Sequence, residues 1–315
     1  MRDAHRHEDL IALRTSGTSG RSRSVVRSTD SWFDSFTHLT RRLSMGPSSR
    51  VWVPGPLSAT MNLFAAVHAA DLGAQVLPSS AGATHAVLTP SALSRALAQH
   101  VDLVGVTVLV AGDRLSRGLH DATLARGATQ VCHYYGAAEL SFVAWGSHAG
   151  DLRVFPGVEV ECRDSVIWVR SPYLCLRYDG SDGPLTRGLD GFATVGDRGD
   201  IRDGCLHVLG RGEETVVTAG ATVLVADVEA TLEQASGSRV FVVGLPHPDL
   251  GKIVCGVVSD AAAIPALRAS SRELLDPAQR PRRWFEVPQP PLTSAGKLDR
   301  AALVDALGDE LALEP

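Results

Sequence analysis

Several protein classes are excluded by what the 315-residue sequence lacks. No apolar run is long enough to span a bilayer, so no membrane partner is expected. The opening segment MRDAHRHEDL has none of the apolar stretch a secretory signal requires. Five cysteines (Cys132, Cys162, Cys175, Cys205, Cys255) make an odd, scattered set without a C-x-x-C pair, which argues against a disulfide framework or a structural zinc site. A reducing, cytoplasmic setting is the expectation. Neither H-E-x-x-H nor the Walker pattern G-x-x-x-x-G-K-[ST] occurs. Basic charge is not in excess: 30 Lys and Arg against 35 Asp and Glu leave a formal net charge of -5, unlike a chain built to neutralise nucleic-acid phosphates.

What is present is an ordinary globular composition, 44% hydrophobic and 21% charged, in a chain longer than one core usually supports. A large domain, a smaller one and a hinge are expected. Short apolar runs (Leu10 to Leu13, Val51 to Val53, Val76 to Leu77, Ala86 to Leu88, Val106 to Val110) predict strands. Met61 to Leu72 and Ser91 to Gln99 between them have helical spacing, and the alternation indicates an α/β domain. From about residue 151, closely spaced runs separated by Gly, Pro and Asp predict an antiparallel β subdomain, starting with Leu152 to Phe155. After Gly210 a small α+β unit is expected: strands at Thr215 to Thr218, Thr222 to Val225, Val240 to Gly244, Ile253 to Val258 and Arg283 to Val287. Its helices are expected at Ala226 to Gln234, near Ser271 to Leu275 and from Asp299.

Four stretches carry candidate chemistry. Thr15-Ser16-Gly17-Thr18-Ser19-Gly20-Arg21-Ser22-Arg23 follows a strand; its glycines let backbone N–H groups turn toward an anion, and its hydroxyls and arginines add phosphate donors. By itself the run also fits a flexible linker. In Tyr134-Tyr135-Gly136-Ala137-Ala138-Glu139 a ring can stack on a purine and a carboxylate can hold Mg²⁺ against phosphates, although a tyrosine-packed strand end would look the same. Gly191 to Asp197, followed by Gly210-Arg211-Gly212-Glu213, offers an acid and an arginine for a sugar, or simply turns. Ser294-Ala295-Gly296-Lys297 puts a lysine on a glycine-containing loop, where it can meet phosphate and carboxylate together or merely face solvent.

In this order and with these gaps, the four stretches resemble the adenylate-forming superfamily of acyl-CoA synthetases, luciferases and peptide-synthetase adenylation domains, from about Leu10 to Leu307. The compact layout is most similar to the short o-succinylbenzoate-CoA ligases. The resemblance implies an α/β adenylation core with an antiparallel subdomain (1–212), shortened at its N-terminus, and a mobile α+β domain (213–315) carrying Lys297. It implies phosphate binding by Thr15, Ser16, Gly17, Thr18, Gly20 and Arg23, and adenine against Tyr135 with Gly136 beside it. It places Mg²⁺ near Glu139, ribose at Asp197 and Arg211, a hinge at Glu213, and Lys297 as the lysine of adenylation.

The implied activity is ATP-dependent conversion of a small carboxylic acid to an acyl-adenylate, then transfer to coenzyme A. The alternatives are a carrier protein's phosphopantetheine as acceptor, or a degenerate nucleotide-binding non-enzyme. A homodimer covering surface left by the absent N-terminal scaffold is a further expectation. Three departures stand out: Ala138 where the family usually has threonine, Ser22 and Ser24 where it has proline and glycine, and neither histidine nor aromatic ring between Val53 and Ala59.

Overall fold

The computed structural model describes residues 2–7, 9–14, 23–180, 183–211, 215–293 and 298–312. The chain divides into two compact units, the first running essentially to Val208 and the second holding Leu209–Thr293 and the C-terminal helix.

The first unit is organised by a seven-stranded mixed sheet ordered Gln75–Leu77, Arg50–Trp52, His85–Leu88, Thr107–Val110, Gln130–Ala137, Ser141–Gly146, Arg153–Val154. Its first five strands are parallel, each pair joined through a helix or crossover, and His85–Leu88 is buried at every position. That is why these strands read as continuous apolar runs instead of alternating ones. The last two strands are antiparallel. Arg153–Val154 thus closes this sheet, whereas the sequence had assigned Leu152 to Phe155 to the antiparallel subdomain; it pairs with Ser141–Gly146 through Ala144 and Trp145. The remaining β structure of this unit is antiparallel: as expected after residue 151, a sheet of Glu159–Arg163, Val166–Arg170, Thr186–Arg187, Ala193–Thr194, Asp197–Arg202 and Cys205–Arg211. Contrary to the assignment of Leu10 to Leu13 to the α/β alternation, there is also a separate three-stranded sheet of Leu10–Arg14, Ser24–Ser28 and Arg177–Asp179, in which Leu10–Arg14 pairs with Ser24–Ser28 and not with a parallel strand.

Helix Asp30–Leu43, absent from the sequence reading, buries Trp32, Phe36, Leu39 and Leu43 at spacings of one face. The Trp32 and Phe36 rings each meet Phe64 of helix Thr60–Asp71 edge-on, with centroids 5.2 and 5.3 Å apart. Such contacts add about 1 kcal/mol each to the burial itself. The helix stops at Ser44, whose left-handed backbone (φ 52°) turns the chain away.

The second unit shows strict alternation. Val242, Val254 and Val258 point to one face of its sheet, with Val228, Leu232 and Leu267 of helices Val225–Ser236 and Ile264–Leu274. Phe241, Val243, Leu245, Ile253, Cys255 and Val257 point to the other, with Leu303 and Leu307 of helix Arg300–Ala312. Period-two patterning therefore places helices on both faces.

Candidate active site

The site residues that the structure describes gather around one turn of the first unit. Strand Gln130–Ala137 pairs with Ser141–Gly146 in register through Tyr135↔Ala144 and then slips, so that Gly136 faces Phe142 and Val143 is left over. This β-bulge needs Gly136: a Cβ there would lie 2.0 Å from the Ser141 carbonyl oxygen. The turn that follows is held by the Leu140 N–H donating to the Ala137 carbonyl (3.1 Å) and by a left-handed Ser141 (φ 60°). Glu139 sits on this turn, 4% exposed.

Its carboxylate is partly committed. Oε1 accepts the Tyr178 hydroxyl at 2.8 Å, and among the described residues Oε2 takes no hydrogen bond. Burial and the neighbouring Glu139 charge push the Tyr178 phenol well above its ordinary range, so it remains a donor. Four residues before the acid, Tyr135 donates its hydroxyl to Asp197 Oδ2 at 2.7 Å, bridging 62 positions of sequence. Asp197, 8% exposed, opens its strand directly after the left-handed Gly196 (φ 78°). The candidate base-stacking ring and the candidate sugar-binding acid are therefore in direct contact, one turn from the candidate cation-binding acid.

The other expected residues are distributed as follows. Thr15, Ser16, Gly17, Thr18 and Gly20 lie outside the described residues. Their flanks are described: strands Leu10–Arg14 and Ser24–Ser28 pair antiparallel with Arg14 opposite Ser24, and Arg14's carbonyl accepts the Thr60 hydroxyl at 2.7 Å. Arg23 is half-buried at the second flank. Arg211 ends strand Cys205–Arg211, the hairpin partner of Asp197–Arg202; its side chain lies outside the described residues, as do Glu213 and Lys297. Either side of the lysine segment, Leu292 and Leu298 form an isolated antiparallel bridge, and the Asp299 N–H donates to the Pro291 carbonyl at 2.9 Å. Lys252 and Lys297 are the only lysines in the sequence, so a lysine in this segment is not a product of a lysine-rich surface.

Two residues at the site escaped the sequence reading. Tyr178 precedes an Asp-Gly pair that signals only a turn. Arg27 occupies a strand whose neighbours Val25 and Val26 are buried, and a charged residue in such a run was the available signal. As for a cation, no group of three His, Cys, Asp or Glu side chains suited to a metal exists among the described residues. One buried carboxylate with an uncommitted oxygen does fit an ion held mainly by substrate phosphates, the usual manner of Mg²⁺.

No protein-family profile matches the chain. It is 26% identical over 328 residues to an uncharacterized acyl-CoA ligase, YhfT, of Bacillus subtilis, covering 91% of this chain and 66% of the relative. It is 26% identical over 306 residues to a 2-succinylbenzoate-CoA ligase of Salmonella typhimurium, covering 92% and 67%. The chain thus spans about two thirds of the length of these relatives. Among solved structures, ATP-bound MatB from Rhodopseudomonas palustris superposes with a TM-score of 0.78 at 24% identity, over 96% of this chain and 69% of that one. In sequence the chain is similar to acyl-CoA ligases, and in fold to ATP-bound MatB.

Proposed function

We propose that the chain is an AMP-forming acid–thiol ligase, which activates a small carboxylic acid with ATP and passes the acyl group to coenzyme A. The observation that carries this reading is the Tyr135–Asp197 contact beside the Glu139 turn. It supports a nucleotide site in which the Tyr135 ring backs the adenine, Asp197 and Arg211 hold the ribose, and the segment Thr15 to Gly20 with Arg23 holds the phosphates. Glu139 would hold Mg²⁺ through Oε2, and the ion, when bound, would neutralise phosphate charge.

In the first half-reaction a substrate carboxylate oxygen attacks the α-phosphorus as the bond to the β-phosphate breaks, and pyrophosphate leaves. Lys297 stabilises the charge that develops. In the second, a thiol sulfur attacks the acyl carbonyl and AMP departs. The switch between them is assigned to Glu213, just past the sequence position where the second unit begins. The five free thiols fit a reducing, cytoplasmic setting, and no helix of the described residues is long and apolar enough to cross a membrane.

The test is a screen of aromatic, dicarboxylic and fatty acids for acid-dependent exchange of pyrophosphate into ATP by the purified chain. Exchange with at least one acid is expected, and AMP release should then require coenzyme A. A chain that binds MgATP but supports exchange with no acid across the panel would be a nucleotide-binding protein, not a ligase.

A further inference from the structure

Arg27 is among the most deeply enclosed side chains of the protein, 1% exposed, yet it is poorly satisfied. One guanidinium nitrogen donates to the Ala138 carbonyl at 2.7 Å, and among the described residues the buried Nε has no partner. Enclosing a cation with an unspent donor is costly, and an apolar side chain would fill the same strand position without that cost. Burial lowers its pKa to about 10, against the attraction of Cys175 and Glu139, so the group is charged at neutral pH.

The placement is specific. Arg27 stands on Ser24–Ser28, the strand that leads out of the Ser/Thr/Gly segment, and its single bond reaches the residue immediately before Glu139. Two backbone ties reinforce the same junction: the Cys175 N–H donates to the Glu139 carbonyl at 2.8 Å, and the Leu176 N–H to the Val26 carbonyl at 2.7 Å. Position 138 carries an alanine, without a hydroxyl of its own, so the backbone carbonyl is the one hydrogen-bond acceptor this residue offers.

We infer that Arg27 is a positioning residue, which ties the hairpin flanking the Ser/Thr/Gly segment to the Glu139 turn and so fixes the carboxylate with its free oxygen toward the bound nucleotide's cation. The inference rests on the nucleotide-site reading above for its ligand, but its structural half stands apart from it. Arg27 touches no reacting atom; it acts through Ala138 and Glu139.

The experiment compares Arg27→Met, Arg27→Gln and Arg27→Lys in the full chain. Hydrogen exchange on nucleotide-free protein should quicken about tenfold or more at residues 137–141 in R27M, while helix Asp30–Leu43 keeps wild-type rates. Titration with MgATP should show affinity weakened about tenfold in R27M and restored to within threefold in R27K, which keeps charge and a donor. If R27M does not fold, R27Q is read the same way. Unchanged exchange at 137–141 overturns the inference, and so does quickening spread evenly through the first unit, because a purely structural cation would act that way. A wild-type chain that fails to bind MgATP overturns the nucleotide reading, and the exchange measurement then decides the tie alone.

Discussion

Each unit of the chain brings an arginine and a glutamate close together, and they treat the pair in opposite ways. In the second unit Arg300 and Glu229 meet fork to fork, at 2.8 and 3.0 Å. The Val242 N–H donates to the same carboxylate at 2.7 Å, and its carbonyl accepts from Arg300 at 2.9 Å. Both charges and the backbone of a core strand are satisfied in one closed set. In the first unit Arg27 and Glu139 share a neighbourhood without bonding each other: among the described residues each makes one side-chain hydrogen bond elsewhere, and each keeps an atom uncommitted. A closed set holds a fold together, whereas an open one is the condition for receiving something else.

The comparison can be broken most visibly at Lys297. If charge outside the closed set serves chemistry and not folding, Lys297→Ala should lower acid-dependent pyrophosphate exchange about a hundred- to a thousandfold with thermal unfolding unchanged. A comparable loss of stability would place the lysine in the structural class. Glu229→Gln is the converse case. It should destabilise the second unit by about 2 kcal/mol in urea unfolding, since Arg300 is then left half-enclosed without its partner charge, while MgATP affinity holds. An equal loss of affinity would erase the distinction between the units.

Acid gives the mildest separation. His68 and His133 are buried in the first unit, bonded to the Thr40 hydroxyl and the Val110 carbonyl, and burial lowers both to about 4. Each is neutral when folded, and protonates in the unfolded chain near its ordinary value of 6.5. The stability they preserve is complete above that value and is lost as pH falls from there toward 4. At pH 5.5 the loss should be about 1 kcal/mol for each, measured as faster hydrogen exchange across the first unit than across the second. Equal acid sensitivity in both units would show that other groups dominate.

The contrast also explains what could be read in advance. The central parallel strands announced themselves because burial on two faces leaves few polar positions, and so did Phe241–His247 and Gly251–Val258 of the second unit, whose residues pack alternately into two cores. Helix Asp30–Leu43 was harder: its apolar residues Trp32, Phe36, Leu39 and Leu43 are scattered among serines, threonines and arginines, and only their spacing reveals the face. At the site, Tyr135, Gly136, Glu139 and Asp197 stood in motifs. Tyr178 and Arg27 did not, since what qualifies them is a partner 39 positions away in one case and 111 in the other. Local pattern carries no record of such pairings.

The leftover residue at Val143 gives the site turn a kind of vernier. Up to Tyr135 the two strands count together; after it one strand is a residue longer, and Val143, left over on that side, stays tied on the other, where its carbonyl accepts the Phe155 N–H at 2.9 Å and so extends the pairing with Arg153–Val154. The direction in which Glu139 leaves the sheet is therefore set first by a difference in chain length, which the missing side chain of Gly136 makes room for. Inserting or removing a residue between Gly136 and Trp145 would shift that register and re-aim Glu139, whereas a different side chain at Ala138 leaves the count as it is.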